Sequence, residues 1–174
     1  EYGSILDIHY SAETLDTLCE KIEAINNFDD VPDLLAQMEC GECRQVITPL
    51  VRQARIMGQK YDVVITNPPY MGASGMSAKL SEFVKRYFPD SKSDLSTVFM
   101  QKCSAMCKAF GIYSMINIPV WLTLKSYANL RERLISNETI AQLIHFGRGV
   151  FGSDFGTTAF VVRKNRIPSF IGRS

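Results

Sequence analysis

The chain has 174 residues, 46% hydrophobic and 21% charged, with a mean hydropathy of −0.01. This is the composition of one soluble globular domain, and with no apolar run near the length of a bilayer span and no stretch that reads as a signal peptide, neither a membrane span nor secretion is expected. The net charge of +1 hides a division: residues 1–43 hold eleven acids and one base, whereas residues 44–174 hold seven acids and eighteen bases, a net of +11 that points to a polyanionic partner for the second part.

The chain starts Glu1-Tyr2-Gly3, without a methionine, so a piece of a longer protein is expected. Five cysteines and no secretory signal predict free thiols in a reducing cytoplasm. Gly3 to Ile8 reads as a short strand. Ser11 is placed to cap a helix that carries Glu13 in its first turn and Leu15, Leu18, Cys19, Ile22 and Ile25 at helical spacing. Pro32 suits the start of a short second helix over Leu34, Leu35 and Met38, ended by Gly41, and a third is expected from about Arg44 to Met57, kinked or started by Pro49. These helices read as a cover for a sheet and carry no evident chemistry. Cys40-Gly41-Glu42-Cys43 has metal-ligand spacing, but a zinc site needs two more ligands, and only the distant Cys103 and Cys107 offer themselves, so structural or incidental cysteines are expected. His9 and His145 sit beside apolar residues at predicted strand ends and read as packing residues.

The most informative stretch is Tyr61-Asp62-Val63-Val64-Ile65-Thr66-Asn67-Pro68-Pro69-Tyr70. Val63, Val64 and Ile65 form a β-branched run of the kind found in the middle of a sheet covered on both faces. The two prolines cannot join a ladder and restrict the residues before them, so the strand must stop at Thr66 and a stiff loop must leave its carboxyl end. In an open α/β sheet that edge is where ligands bind. Asn67 offers a side-chain carbonyl and Pro68 a backbone carbonyl. Two acceptors side by side suit a planar NH2 group; by drawing its hydrogens out of conjugation they would return lone-pair density to the nitrogen. Tyr70 adds a flat face on which a heterocycle can stack.

Met71 to Lys92 follows, rich in small residues and then in bases: Lys79, Lys85, Arg86 and Lys92. A mobile loop over the site is expected here, with a basic segment able to grip phosphates. Ser93 is expected to cap a helix with Asp94 in its first turn and Leu95, Val98, Phe99, Cys103 and Met106 inside. Gly111 opens a strand over Ile112–Ile118, ended by Pro119. A helix over about Thr123–Ser136 and a strand over Thr139–Phe146 come next. This alternation predicts a parallel, doubly wound sheet with right-handed crossovers that place the helices on both faces. Gly147 to Gly156 is a glycine-rich loop without a nucleotide fingerprint, and Thr157–Arg163 is the last strand.

Asn67-Pro68-Pro69-Tyr70 after an apolar strand resembles the catalytic motif of amino-group methyltransferases that use S-adenosylmethionine. The run NPPYMGASGMSAKLSEFVKRYFPDSKSDL, Asn67 to Leu95, is similar to the adenine-specific DNA methyltransferases of BREX phage-defence systems and to type IIG restriction-modification enzymes. The resemblance covers most of the chain after Tyr61 and, more loosely, Tyr2–Ile8. It implies a Rossmann-like class I methyltransferase fold, α/β with a mostly parallel sheet and a C-terminal antiparallel strand. It also implies S-adenosylmethionine as cofactor, DNA and other defence or restriction-modification subunits as partners, and a second aromatic opposite Tyr70, at Phe151 with Phe155 as its competitor.

The family's glycine-rich cofactor loop and following acid are not found ahead of Asn67, and are expected upstream of residue 1. The chain thus reads as one partial domain, 1–60 an acidic-starting segment and 61–174 the catalytic-loop half, with no target-recognition domain. Alone it is expected to bind the cofactor weakly or not at all, a reading that micromolar binding would refute. Asn67, Pro68, Pro69 and Tyr70 are the candidate catalytic residues, Tyr70 and Phe151 hold the base, Lys79, Lys85, Arg86 and Lys92 the phosphates, and no metal is expected. The expected activity is N6-adenine DNA methylation. The alternatives are RNA or protein-glutamine methylation by the same chemistry, or a nucleic-acid-binding module that has lost catalysis.

Overall fold

The computed structural model of the chain describes residues 5–24, 34–150 and 156–173, with the backbone alone at 23, 34–40 and 42–44. They fall into two compact units, Leu6–Gln59 and Lys60–Ser174, the latter together with the first five residues.

The first unit is a helical pair, α1 (Ala12–Ala24) and α2 (Leu34–Gly58). Ser11 caps α1 as expected, its Oγ accepting from the Thr14 amide at 3.1 Å. The two helices expected after Pro32 are instead one. Gly41 does not end α2 and Pro49 lies inside it; a glycine in a helix interior costs only about 1 kcal/mol, too little to stop a helix by itself. Leu15 and Val51 are buried and an Arg55–Asp16 ion pair joins α2 to α1. Leu6 to His9 form no strand.

The second unit holds a four-stranded sheet: β1 (Tyr61–Thr66), β2 (Cys107–Asn117), β3 (Thr139–Gly147) and β4 (Thr157–Arg163), in the order β1-β2-β4-β3. β1 and β2 are parallel, and β4 runs antiparallel to both neighbours. The sheet is therefore mixed, with three strands in one direction and the C-terminal strand reversed between two of them. Three helices accompany it: α3 (Ala78–Tyr87), α4 (Leu95–Met106) and α5 (Ala128–Asn137). Gly111 marks a close approach, since a Cβ there would lie 2.9 Å from the Tyr61 carbonyl oxygen, beside an irregularity in the β1–β2 register.

One large core is shared by α4 (Met100, Cys103), α5 (Leu130, Leu134) and the sheet (Tyr113, Met115, Phe160, Val162), with Trp121 and Tyr127 from the turns between β2 and α5. Trp121 and Tyr113 both meet Phe160 edge-on, at 5.4 and 6.2 Å between ring centres. Each such side chain contributes about 1.5–3 kcal/mol by burial. A second cluster packs α3 (Leu80, Val84) onto α4 (Leu95, Val98) with Ile5, Met76 and Phe88.

The helices thus lie on one face of the sheet, not on both. The crossovers β1–α4–β2 and β2–α5–β3 advance across the sheet in the same direction, and right-handed connections that do not reverse must put their helices on the same side. The opposite face shows the consequence. Val63 and Ile65 on β1 are 55% and 75% exposed, and among the described residues β1 pairs on one side only. The Val63–Ile65 run is not a doubly covered central strand here. No helix among the described residues is long and apolar enough to cross a membrane.

Candidate active site

β1 ends at Thr66 and the chain leaves the sheet as Asn67-Pro68-Pro69-Tyr70 at its carboxyl end, as proline chemistry requires. Pro68 is buried, whereas Asn67 and Tyr70 are exposed, Tyr70 at 41%. The loop turns back on itself, so that the Tyr70 hydroxyl lies 3.1 Å from Asn67 Oδ1. The same hydroxyl lies 3.1 Å from the Ile116 carbonyl oxygen, near the carboxyl end of the neighbouring strand β2. One proton is therefore shared between two acceptors, one in the loop after β1 and one on β2. Partial burial pushes the Tyr70 phenol above its usual range, so the hydroxyl stays a donor.

β2 ends in a buried polar clasp that the sequence did not announce. Asn117 and Thr158 are fully buried and Trp121 nearly so. Asn117 Oδ1 accepts from Trp121 Nε1 at 3.0 Å and from Thr158 Oγ at 2.9 Å. Its Nδ2 has no partner among the described residues. The only signal available in sequence was an asparagine at the end of a strand, where that residue type is depleted.

The segment after Tyr70, where a mobile loop is expected, makes backbone hydrogen bonds to the residues before and at the start of α4. Gly72 bridges Asp94, the Ala73 amide donates to the Ser93 carbonyl at 3.0 Å, and the Leu95 amide to Met71 at 2.9 Å. Residues 73–75 make a 3-10 turn and Ser77 caps α3. Lys79, Lys85 and Arg86 are exposed on α3, with the Arg86 guanidinium 5.5 Å from the Tyr87 ring centre. Lys92 is exposed in the turn before α4. The cap of α4 is Asp94 rather than Ser93: Asp94 Oδ1 accepts from the Ser96 amide at 2.8 Å, while the Ser93 carbonyl serves Ala73.

Phe151 and Phe155 lie outside the described residues, as do the side chains of Cys40 and Cys43. Cys103 and Cys107 are buried free thiols, and burial pushes Cys103 up to about 12. No cluster of three or more metal-ligating side chains occurs among the described residues. The histidines are not packing residues: His9 and His145 are both exposed, and His145 Nδ1 accepts from the Gly147 amide at 3.0 Å. Asp62 pairs with Lys108 at 2.7 Å.

Residues 7–151 match the model of the Eco57I restriction-modification methylase family. The chain belongs to that family. It is 42% identical over 128 residues to the adenine-specific methyltransferase BrxX of Escherichia coli O9:H4 (strain HS), an alignment covering 71% of this chain and 11% of BrxX. It is 41% identical over 127 residues to the adenine-specific methyltransferase PglX of Lacticaseibacillus casei (strain Zhang), covering 71% of this chain and 10% of PglX. The chain thus spans about a tenth of the length of these relatives. Among solved structures, a Listeria monocytogenes protein assigned to the class I S-adenosylmethionine-dependent methyltransferases matches with a TM-score of 0.53 at 15% identity, over 97% of this chain and 56% of that one. The M protein of the type I restriction enzyme EcoKI matches at 0.50 and 14% identity, over 95% and 42%. The fold is that of the class I methyltransferases.

Proposed function

We propose that this chain carries the amino-group receptor of an enzyme that methylates N6 of adenine in DNA, with S-adenosylmethionine as donor, in phage defence or restriction-modification. The observation that carries the reading is the exposed Asn67 amide at the carboxyl end of β1, already engaged by a hydroxyl donor, in a chain of this family. The full domain would extend beyond this partial one, 1–60 and 61–174, to supply the cofactor loop and target recognition. DNA and the other subunits of such systems are the proposed partners.

S-adenosylmethionine would supply an electrophilic methyl carbon. The described residues fit one side of that transfer: they present acceptors where an amine would lie, but no glycine-rich cradle. Gly147 and Gly149 have positive φ, yet they lie at the end of β3 and just after it, ahead of the antiparallel strand β4, and lack the glycine spacing of a nucleotide fingerprint. In the proposed chemistry Asn67 Oδ1 and the Pro68 carbonyl take the two N–H bonds of the target amine and free its lone pair for attack. The proton can leave after attack, so no side-chain base is assigned to His9, His145 or Asp62. Tyr70 stacks the extruded base, with Phe151 proposed on its other face, and each aromatic face returns about 1–3 kcal/mol of lost stacking. Lys79, Lys85, Arg86 and Lys92 are proposed to hold flanking phosphates.

The test offers the full-length protein DNA, RNA and a protein extract with methyl-labelled S-adenosylmethionine, then digests each to monomers. Label in N6-methyladenine from DNA supports the reading. Label in RNA or glutamine instead would keep the mechanism and overturn the substrate, and DNA retention with no label anywhere would overturn catalysis.

A further inference from the structure

The Asn67 amide has to be aimed. An exposed asparagine side chain turns freely about its terminal bond, and its two ends are opposite in hydrogen-bonding character: the oxygen accepts and the nitrogen donates. Only the oxygen can receive an amine. The Tyr70 hydroxyl, 3.1 Å from that oxygen, is the polar group recorded against it. That hydroxyl is itself placed by the Ile116 carbonyl, also at 3.1 Å, which can only accept. Were that shared proton given wholly to Ile116, Tyr70 Oη would have a lone pair to offer. A half-turn of the Asn67 amide would then put Nδ2–H on Oη and release Oδ1 for the substrate.

Ile116 pairs with Ala159 in the β2–β4 ladder, and the next residue along is Asn117. Asn117 is fully buried at the last position of β2 and joins three pieces of chain. Its Oδ1 holds the Trp121 indole in the turn after β2 and the Thr158 hydroxyl at the start of β4. The identity of that atom is fixed by chemistry, because an indole N–H only donates and the atom facing it must be the oxygen. The Nδ2 group is left without a partner among the described residues. A buried amide that leaves its donor unmatched is costly for stability alone, and an apolar residue of the same shape would avoid that cost.

We propose that Asn117 is a positioning residue of the amino-group receptor, acting on the Asn67 amide through the Ile116 carbonyl and the Tyr70 hydroxyl. This rests on the reading of Asn67 as the amine's acceptor. Asn117 does not touch the substrate; it fixes the end of β2 from which the hydroxyl is hung.

The test is a double-mutant cycle for methyl transfer in the full-length protein, at equal folded fraction, with Asn117→Leu and Tyr70→Phe. Losing one neutral hydrogen bond at the end of the chain lowers the turnover of each single variant by about threefold. If both act through the same bond, the double variant falls by about threefold as well. Independent effects would multiply to about ninefold and overturn the proposal, as would full activity of Asn117→Leu. The KM for the methyl donor is expected to be unchanged in Asn117→Leu, which a general loosening of the sheet would not spare. Should Asn117→Leu fail to fold, Thr158→Val removes the hydroxyl that reaches Asn117 Oδ1 at 2.9 Å and the Asn117 carbonyl at 3.2 Å, with little change of shape, and enters the same cycle with the same expectation. Asn67→Ala separates the two failures. If it retains transfer, the receptor reading itself is wrong; if it loses transfer while the cycle multiplies, only the role of Asn117 is wrong.

Discussion

Two tyrosine hydroxyls are anchored along β2, and in opposite ways. On one side, Tyr113 from the middle of β2 is 1% exposed and its hydroxyl reaches the residue before β3, donating to Glu138 Oε2 at 2.6 Å. Ser104 reaches the other Glu138 oxygen, and Lys164 donates to the Ser104 carbonyl and Oγ at 2.5 and 3.0 Å. This cluster is closed on itself and ties α4, β2, the junction of α5 and β3, and the residue after β4 together. At the carboxyl end, Tyr70 is 41% exposed and its hydroxyl is shared between Asn67 and Ile116. The same functional group is sealed at one site and open at the other. A sealed, satisfied network holds a fold together, whereas exposed acceptors at the carboxyl edge of an α/β sheet can be offered to a ligand.

Breaking the two sites separately should give opposite readouts. The largest effect is expected from Asn67→Ala, which should lower methyl transfer by about 10²–10³-fold, the usual consequence of deleting one preorganised group from a reacting centre, and leave thermal unfolding unchanged. Glu138→Ala should do the reverse. It strands the Tyr113 hydroxyl in the core and should cost about 2–3 kcal/mol in denaturant unfolding, with turnover per folded molecule preserved. Tyr70→Ala comes next, losing about 1–3 kcal/mol of stacking in the binding of DNA with an unpaired target adenine, while Tyr70→Phe keeps the ring and stays within about threefold.

Alkaline pH sharpens the same contrast. Burial, then the neighbouring Glu138 carboxylate, pushes the Tyr113 phenol well above 10.0, and burial pushes Cys103 from 9.0 to about 12. Between its unfolded and folded values each group holds its proton only in the folded chain, so the unfolded state binds fewer protons and stability falls as pH rises. Their contribution is complete below about pH 9, declines first through Cys103 and then, above about pH 10, through Tyr113. Tyr113→Phe should flatten the decline above pH 10 in a denaturant series and leave the branch that begins near pH 9. The smallest effect is reserved for the basic helix: replacing Lys79, Lys85 and Arg86 together by alanine should reduce the salt slope of DNA binding by about 2–3, if each meets one phosphate.

The open site was far more legible in the sequence than the sealed one. Two prolines dictate where β1 stops whatever surrounds it, so the site loop could be placed from four residues. β4 was found at its observed bounds, and β3 to within one residue, because Gly147, Gly156 and Asn165 punctuate runs of strand formers. What sequence did not give is what depends on distant chain. Asp94 outranks Ser93 as a cap because the Ser93 carbonyl is taken by Ala73, twenty positions away. Gly41 and Pro49 are local breakers that the continuous α2 overrode. The one-sided helices follow from strand order, which periodicity cannot report. Ile116 entered the site through its carbonyl, an atom every residue has, so no side-chain pattern could have flagged it.

The claim that the carboxyl end of β1 is the reacting end is tested most directly by one paired measurement. Wild-type and Asn67→Ala full-length proteins, matched for folded fraction, are incubated with DNA and methyl-labelled S-adenosylmethionine, and the digested DNA is assayed for labelled N6-methyladenine. The account predicts labelled adenine from the wild type and a loss of at least about a hundredfold in the variant. Equal labelling by the two proteins would contradict it and move the chemistry away from Asn67.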